Sequence, residues 1–326
     1  MKRDFLHYNM EDKASFIGHY DNKETQESYG YVLEKVKGLE EFFKKDLYDF
    51  SFEQIEEAMH KLSPSSLPVA RMNGAVLTSY ISWAIDNNKR VGNINPIKSK
   101  INTTDWYRKF IDPSKKNYIT LEELEKNEKF ITNYQDKIVP RLLFEGVGGI
   151  FASEILNLTD KDYREESNKL RLNDERKGER YITVSEGCIN MIKKALDETD
   201  YHKSNGESES RNPVLRLVEN NFVVKTASTN DKSEGKADRH TVYRRISSIA
   251  EWLEIPFFTT KSVQRSGMIY MAYKLMKERN KEDVDREVLN EVAEQFNVTK
   301  INNERYNYSL LEEYINTENI NKLYEI

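Results

Sequence analysis

The sequence predicts a two-domain, mainly α-helical protein with a small antiparallel β-sheet. Its 326 residues exceed the roughly 250–300 at which a single hydrophobic core stops growing, so two cores are expected. Apolar residues recur every three or four positions over most of the chain, as they do on amphipathic helices. Two short segments, 169–173 and 179–184, instead have the composition of strands joined by a hairpin.

The first domain is predicted to be helical and to span residues 1–96. Segments 25–45 and 67–86 carry the helical periodicity, and a shorter helix between them begins at Ser51. Asn95 precedes a proline, which pushes it out of the helical region of backbone conformation. The chain is therefore expected to leave the first domain at this point.

Residues 97–118 are predicted to form a basic linker, because bases outnumber acids there. A second basic stretch covers 236–265, and acids dominate from 281 to 326. The net charge of −5 argues only weakly against nucleic acid, since a local cluster of cations is what binds phosphate. A basic middle favours a DNA-binding surface, and ordinary solvated surface is the alternative.

The second domain is predicted to span 119–326. Thr120 and Glu123 form a capping-box pattern that begins a helix, and further helices are expected over 138–158 and 240–253. Besides the hairpin, a third strand is expected over 221–226.

The sequence argues against a calcium loop, a nucleotide-binding loop and a metal site. Segment 112–123 resembles a calcium loop, but Lys116 stands at a ligand position and would repel the ion. Glycines at 146–149 lack the third glycine of a nucleotide fingerprint and are interpreted as permitting close helix packing. Cys188 is the single cysteine and the five histidines are scattered, so no metal site and no cofactor are predicted.

No apolar run approaches the roughly 18 residues of a membrane span, and the N-terminus has no secretory pattern. A single cysteine agrees with a reducing compartment. The sequence thus predicts a soluble cytoplasmic protein without a membrane partner.

Several motifs follow one another in order along the second domain. The box 149–158 reads Gly-Ile-Phe-Ala-Ser-Glu-Ile-Leu-Asn-Leu, and a hairpin with a basic tip follows. Further on come Ser-Val-Gln-Arg at 262–265, Phe-Asn at 296–297, and Tyr306 nine residues after Asn297. Together with the helical first domain ending in Asn-Pro, this layout resembles the tyrosine recombinases or phage integrases along nearly the whole chain.

This chain has the order and spacing of that family's motifs, but several of the family's catalytic residues are replaced. Where the family has its first catalytic arginine and its two histidines, this chain carries Phe151, Ser262 and Asn297. The remnants of the catalytic set are Arg265, Tyr306 and Lys177, with Arg180 as the alternative counterpart of the hairpin lysine.

These losses bear on the reaction that the family carries out. Two guanidiniums stabilise the charge that develops when tyrosine attacks a phosphodiester, and losing one such donor costs roughly 3–4 kcal/mol. A tyrosine with a pKa near ~10 also needs a positioned base or a cationic neighbour. We therefore expect no enzyme activity. The alternative is a divergent recombinase that uses Tyr306, with Lys261 and Arg239 restoring the missing charge.

In the resembled family the two domains close around a duplex and the linker follows its backbone. This implies double-stranded DNA as partner and the following phosphate contacts: Lys98, Lys100, Arg108, Lys109, Lys177, Arg180, Arg239, Arg244, Arg245, Lys261 and Arg265. Base reading is expected from helix side chains in the major groove, namely Arg71, Asn73, His240, Arg244 and Arg245.

The substitutions fit best the phage lytic-cycle repressor family of MrpR type, recombinase-like proteins without recombinase activity. That resemblance implies a sequence-specific transcriptional repressor that maintains lysogeny, acting on DNA in the cytoplasm of a bacterial host. By analogy with recombinases, the acidic segment 309–323 is expected to mediate self-association, and a regulatory protein or peptide is a further possible partner. A protein-only adaptor is a third reading, which explains the acidic tail but not the basic segments.

Overall fold

The computed structural model describes residues 7–64, 66–100, 103–111, 117–228, 236–301 and 304–324. The chain divides into two compact units, residues 1–115 and 116–326. Both are mostly helical and the strands are short and antiparallel, which confirms the predicted fold class.

The described residues of the first unit form five α-helices: α1 (Met10–Gly18), α2 (Lys23–Phe43), α3 (Phe52–Leu62), α4 (Leu67–Asp86) and α5 (Thr104–Arg108). Ser51 begins α3 as expected, since its hydroxyl accepts from the backbone N–H of Gln54 while the Gln54 side chain accepts from the Ser51 N–H. Tyr80 of α4 lies at the centre of the core, with its ring 5.1 Å from Phe16 and stacked on Trp83.

A charged cluster is buried inside this unit. Lys13 is fully buried, and its Nζ donates to Glu40 Oε1 at 2.6 Å and to Asp46 Oδ2 at 3.1 Å. The Tyr80 hydroxyl donates to the same Asp46 oxygen at 3.2 Å. One ammonium thus faces two carboxylates, and burial raises the pKa of Glu40 to about 7 even though Lys13 opposes the shift.

The predicted boundary at residue 96 and the linker over 97–118 are corrected by the structure. Ile97, Trp106, Tyr107 and Phe110 are all buried in the core of the first unit. Tyr107 lies against Gly74, where an added Cβ would come within 2.5 Å of its ring. A count of charges does not reveal these aromatic residues. Because they are buried in the first core, most of the expected linker belongs to the first unit. Residues 101–102 and 112–116 lie outside the described residues.

The second unit contains nine described helices: α6 (Leu121–Phe130), α7 (Tyr134–Phe144), α8 (Ser153–Asn157), α9 (Glu186–Asp197), α10 (Arg239–Trp252), α11 (Thr260–Glu278), α12 (Arg286–Gln295), α13 (Tyr308–Glu312) and α14 (Thr317–Tyr324). Buried α7 packs against α9, α10 and α11. Gly267 of α11 makes one of these contacts possible, because a Cβ there would lie 1.8 Å from the Phe144 carbonyl oxygen.

The expected helix over 138–158 is interrupted. Gly146 and Gly149 have φ angles of 99° and 74°, so α7 ends at Phe144 and α8 begins only at Ser153. The close packing predicted for these glycines is present, since a Cβ on Gly146 would lie 2.7 Å from the Gln295 carbonyl oxygen. Gly146 and Gly149 thus form a turn, and Gly146 also permits a close contact with α12.

The predicted hairpin is confirmed as β2 (Lys169–Asp174) and β3 (Gly178–Thr183), with β1 (Tyr163–Arg164) added on the other side of β2. A second pair, β4 (Asp200–His202) and β5 (Val214–Arg216), was not predicted because it lies in a polar stretch. The strand expected over 221–226 is wrong, since this segment makes only isolated bridges.

The acidic C-terminal segment 309–323 packs on its own chain. It forms two short helices, and Ile320 of α14 is buried. Tyr324 stacks on Tyr273 of α11 with ring centroids 4.6 Å apart. Self-association through this segment stays a prediction.

Within the described ranges, no helix is both long and apolar enough to cross a membrane. The same residues contain no group of histidine, cysteine or acidic side chains arranged to hold a metal ion.

Candidate nucleic-acid interface

The box 149–158 forms a strained loop that the hairpin holds in place. Phe151 and Ala152 have φ angles of 52° and 65°, a region that residues other than glycine seldom adopt. Asp174 at the end of β2 accepts from the backbone N–H of Ile150 at 2.7 Å and from that of Lys177 at 2.8 Å. Burial opposes ionisation of Asp174, but these backbone hydrogen bonds prevail and lower its pKa. One carboxylate therefore joins the loop to the basic hairpin tip.

Glu154 is the second carboxylate that organises the loop. It is fully buried and accepts from the Gly148 N–H at 2.9 Å, from Asn297 Nδ2 at 3.0 Å and from Arg180 Nε at 2.6 Å. The remaining Arg180 nitrogens donate to Glu154 and to the carbonyls of Gly146 and Gln295. Arg180 is thus committed to bracing the loop, which corrects its assignment as a phosphate contact.

Lys177 lies at the hairpin tip, and its Nζ donates to the Asn297 carbonyl oxygen at 2.5 Å. Asn297 has a left-handed backbone with φ of 52°. Its carbonyl oxygen accepts from Lys177, and its side-chain amide donates to Glu154. Partial burial lowers the pKa of Lys177. The lysine therefore stays close to the strained loop.

Ser262, at the position of a lost histidine, belongs to the capping box of a helix whose N-cap is Thr259. Its hydroxyl oxygen accepts from the Thr259 N–H at 2.8 Å, and the Ser262 N–H donates to Thr259 Oγ1 at 3.1 Å. The same hydroxyl bonds to the Phe257 carbonyl. Ser262 therefore completes the capping box at the start of α11.

Arg265 packs against an aromatic ring, and Tyr306 is buried. The Arg265 guanidinium carbon lies 4.7 Å from the ring centroid of Tyr314, and burial raises the pKa of Tyr118 although the charge of Arg265 opposes this shift. Tyr306 is only 7% exposed, and its pKa is raised by burial, then by the charges of Glu294 and Tyr308. A raised pKa lowers the fraction of tyrosinate at neutral pH.

Helix α10 presents several of the predicted cations to solvent. Arg239, His240 and Arg244 are exposed, whereas Arg245 is only 6% exposed. The Arg245 Nε lies 3.4 Å from Asp136 Oδ1, and its Nη2 donates to the Lys225 carbonyl at 2.7 Å. Arg245 therefore cannot read bases or bind phosphate, which corrects that assignment.

Asn73 is corrected for the same reason. It is 4% exposed and lies on the core-facing side of α4 between Ala70 and Leu77. Helical spacing of three and four from these apolar residues was the signal that could have excluded it. Arg71 is exposed instead, and its Nη2 donates to Thr104 Oγ1 at 3.0 Å.

The other candidates in the first unit are all exposed. The Arg108 guanidinium lies 3.4 Å from Asp105, an exposed pair with little effect on stability. In the second unit, Lys261 is exposed near the start of α11. The structure therefore leaves the following cations available at the surface: Lys98, Lys100, Lys109 and Arg108 in the first unit, and Lys261 with the α10 residues in the second.

Two organising residues were missed from the sequence, Asp174 and Tyr314. Asp174 is the last strand residue before a tight turn, where aspartate commonly binds the following N–H groups, so a local signal existed. Tyr314 lies 49 positions after Arg265, and no local pattern joins the two.

A likeness between this chain and known proteins extends over both units. A family model described as "MrpR, C-terminal catalytic domain" matches residues 118–325, and "MrpR, N-terminal core-binding domain" matches residues 6–86. The SPbeta prophage-derived uncharacterized protein YopR of Bacillus subtilis (strain 168) is 36% identical over 296 residues, which cover 90% of this chain and 89% of that protein.

Solved structures with a similar fold are recombinases and integrases. The Tn1549 transposon integrase in complex with circular intermediate DNA has a TM-score of 0.44 at 12% identity, covering 95% of each chain. The integrase from mycobacterium phage Brujita has a TM-score of 0.37 at 10% identity, covering 96% of this chain and 91% of that one. These two likenesses concern the fold alone. By the family models and the prophage relative, the chain belongs to the MrpR family of recombinase-like, two-domain proteins.

Proposed function

We propose that this protein is a sequence-specific double-stranded DNA-binding protein, a phage transcriptional repressor that maintains lysogeny and has lost strand transfer. The observation that carries the proposal is the fate of the catalytic positions. Ser262 belongs to the capping box that begins α11, Tyr306 is buried with a raised pKa, and position 151 carries a phenylalanine without charge. Cations remain exposed around this altered site, so phosphate binding can persist without chemistry.

DNA binding rests on the exposed cations of each unit. Helix α10 presents Arg239, His240 and Arg244 at its start, where the helix dipole adds positive potential. Arg71 on α4 is our candidate for base contacts in the first unit. Self-association through residues 309–323 and release from DNA by a regulatory protein or peptide extend the proposal.

The first test is recovery of fragmented phage and host DNA by the purified protein near physiological salt, followed by sequencing. Fragments that share one motif upstream of many genes are the expected result. Enrichment at a single attachment-like locus would favour a recombinase, and recovery of no specific fragment would favour a protein-only adaptor.

Loss of chemistry is tested with a nicked duplex that traps a phosphotyrosyl intermediate. Neither the parent protein nor Tyr306→Phe should form a covalent adduct, because the buried hydroxyl lacks activation. An adduct that forms with the parent and disappears in Tyr306→Phe would establish the alternative, a divergent recombinase that uses Tyr306.

The phosphate-binding face is tested with two lysines on one helix. Lys261 lies in the first turn of α11 and Lys277 in its last turn, about 24 Å apart at ~1.5 Å per residue. Lys261→Ala should reduce by about one the slope of log affinity against log salt. Lys277→Ala should leave that slope unchanged. Equal slopes for all three proteins would remove the start of α11 from the interface.

A further inference from the structure

A cation lies over the aromatic ring that replaces the expected first arginine. The Arg239 guanidinium carbon is 5.0 Å from the centroid of the Phe151 ring, within the range of a cation–π contact. Phe151 is 49% exposed, so both partners are open to solvent. A guanidinium is therefore present beside the loop even though residue 151 carries no charge.

The loop is built to hold that ring in place. Phe151 and Ala152 both adopt left-handed backbone conformations, which cost free energy and persist only where surrounding contacts enforce them. The Ile150 N–H is bound by Asp174, and Ser153 is buried directly after the turn. These contacts thus fix the backbone from which the Phe151 side chain projects.

Arg239 has an acidic neighbour in sequence whose carboxylate is used elsewhere. Asp238, its neighbour in sequence, caps α10 by accepting from the Thr241 N–H at 2.8 Å and from its hydroxyl at 2.9 Å. Among the parts of the chain that the structure describes, no carboxylate lies within salt-bridge distance of Arg239. A stacked guanidinium keeps its edge N–H groups free, and these are the donors that bind phosphate in pairs.

Other cations lie near this loop. Lys177 reaches it from the hairpin, since the Asp174 carboxylate binds the backbone N–H of both Ile150 and Lys177. Arg244 adds a second exposed guanidinium on α10.

We infer that Phe151 is a positioning residue that holds Arg239 ready to bind a DNA backbone phosphate beside this loop. The inference rests on the proposed DNA binding. Position 151 carries no guanidinium of its own. Its phenyl ring instead holds the guanidinium of Arg239 by stacking against it.

The test is a double-variant cycle on affinity for duplex DNA, measured over a range of salt concentrations with fragments recovered by the protein itself. Arg239→Ala should lower the salt slope by about one. Phe151→Leu keeps the apolar bulk and removes the π face, so it should weaken binding roughly two- to fivefold with the slope unchanged. Phe151→Tyr keeps the face and should bind like the parent.

The pair should couple, so Phe151→Leu should have no effect in the Arg239→Ala background. Effects that simply multiply would mean that Phe151 touches DNA itself, and would overturn the inference. A DNA-free measurement reports the stacking directly: the Arg239 Nε–Hε NMR signal, assigned by its absence in Arg239→Ala, should shift downfield in Phe151→Leu as the ring current is lost.

The two proposals fail in different ways. A parent protein that binds no duplex at any salt would end the proposed function and this inference with it. A parent that binds duplex while Arg239→Ala keeps the same affinity and slope would end the inference alone.

Discussion

Single residues decide what the altered site can do. Ser262 and Asn297 stand where the resembled recombinases have histidines, and both are hydrogen-bonded into the scaffold, one at a helix start and one to Glu154. The Arg180 guanidinium donates to the Glu154 carboxylate and to the carbonyls of Gln295 and Gly146. These polar side chains are used for structure, and the exposed cations nearby stay available for a ligand.

The buried cluster of Lys13, Glu40 and Asp46 should make stability depend on pH. The pKa of Glu40 is raised in the folded protein, to about 7 against 4.5, so the folded state holds a proton that the unfolded chain releases. Its stabilising contribution is complete below pH 4.5 and is lost as the pH rises through 7. Unfolding free energy from urea titration should therefore fall across this window.

The control for that dependence is Glu40→Gln, which keeps the shape and cannot titrate. It should flatten the change in unfolding free energy between pH 5 and pH 8 relative to the parent. Equal pH slopes for the two proteins would assign the dependence to other groups.

At the scale of elements, the second unit depends on how closely α7 and α11 approach. Gly267→Ala would place a Cβ 1.8 Å from the Phe144 carbonyl oxygen, a backbone atom that cannot move aside cheaply. The helices must separate, so we expect a loss of about 3 kcal/mol in urea unfolding.

The matched control is Gly187→Ala on α9, where the nearest atom to an added Cβ is the Ser185 hydroxyl at 3.7 Å. It should leave stability unchanged or raise it, since alanine is the better helix former. Similar losses for both variants would contradict the close helix contact.

At the scale of the whole molecule, the division into two units predicts which fragments fold. A fragment of residues 1–115 contains Trp106, Tyr107 and Phe110, each buried in the first core. A fragment of residues 1–96 lacks all three, and burying one such side chain is worth about 1.5–3 kcal/mol against a total stability of about 5–15 kcal/mol. The longer fragment should melt cooperatively by circular dichroism and the shorter one should not. Identical melting curves would return the boundary to residue 96.

Features determined by neighbouring residues followed from the sequence alone. The helix start at Ser51, the capping box at Thr120 and the hairpin after Lys169 are present as predicted, because caps and tight turns are made by residues three or four positions apart. The order of motifs likewise indicated the recombinase-like frame that the family models confirm.

Only the tertiary structure decided which charged residues remain available. Arg244 and Arg245 are adjacent and alike in sequence, yet one is exposed and the other is buried beside Asp136. The contact between Arg239 and Phe151 joins residues 88 positions apart, and the domain boundary depends on where Trp106 finds its core. Burial and pairing arise between segments distant in sequence, so no local pattern carries them.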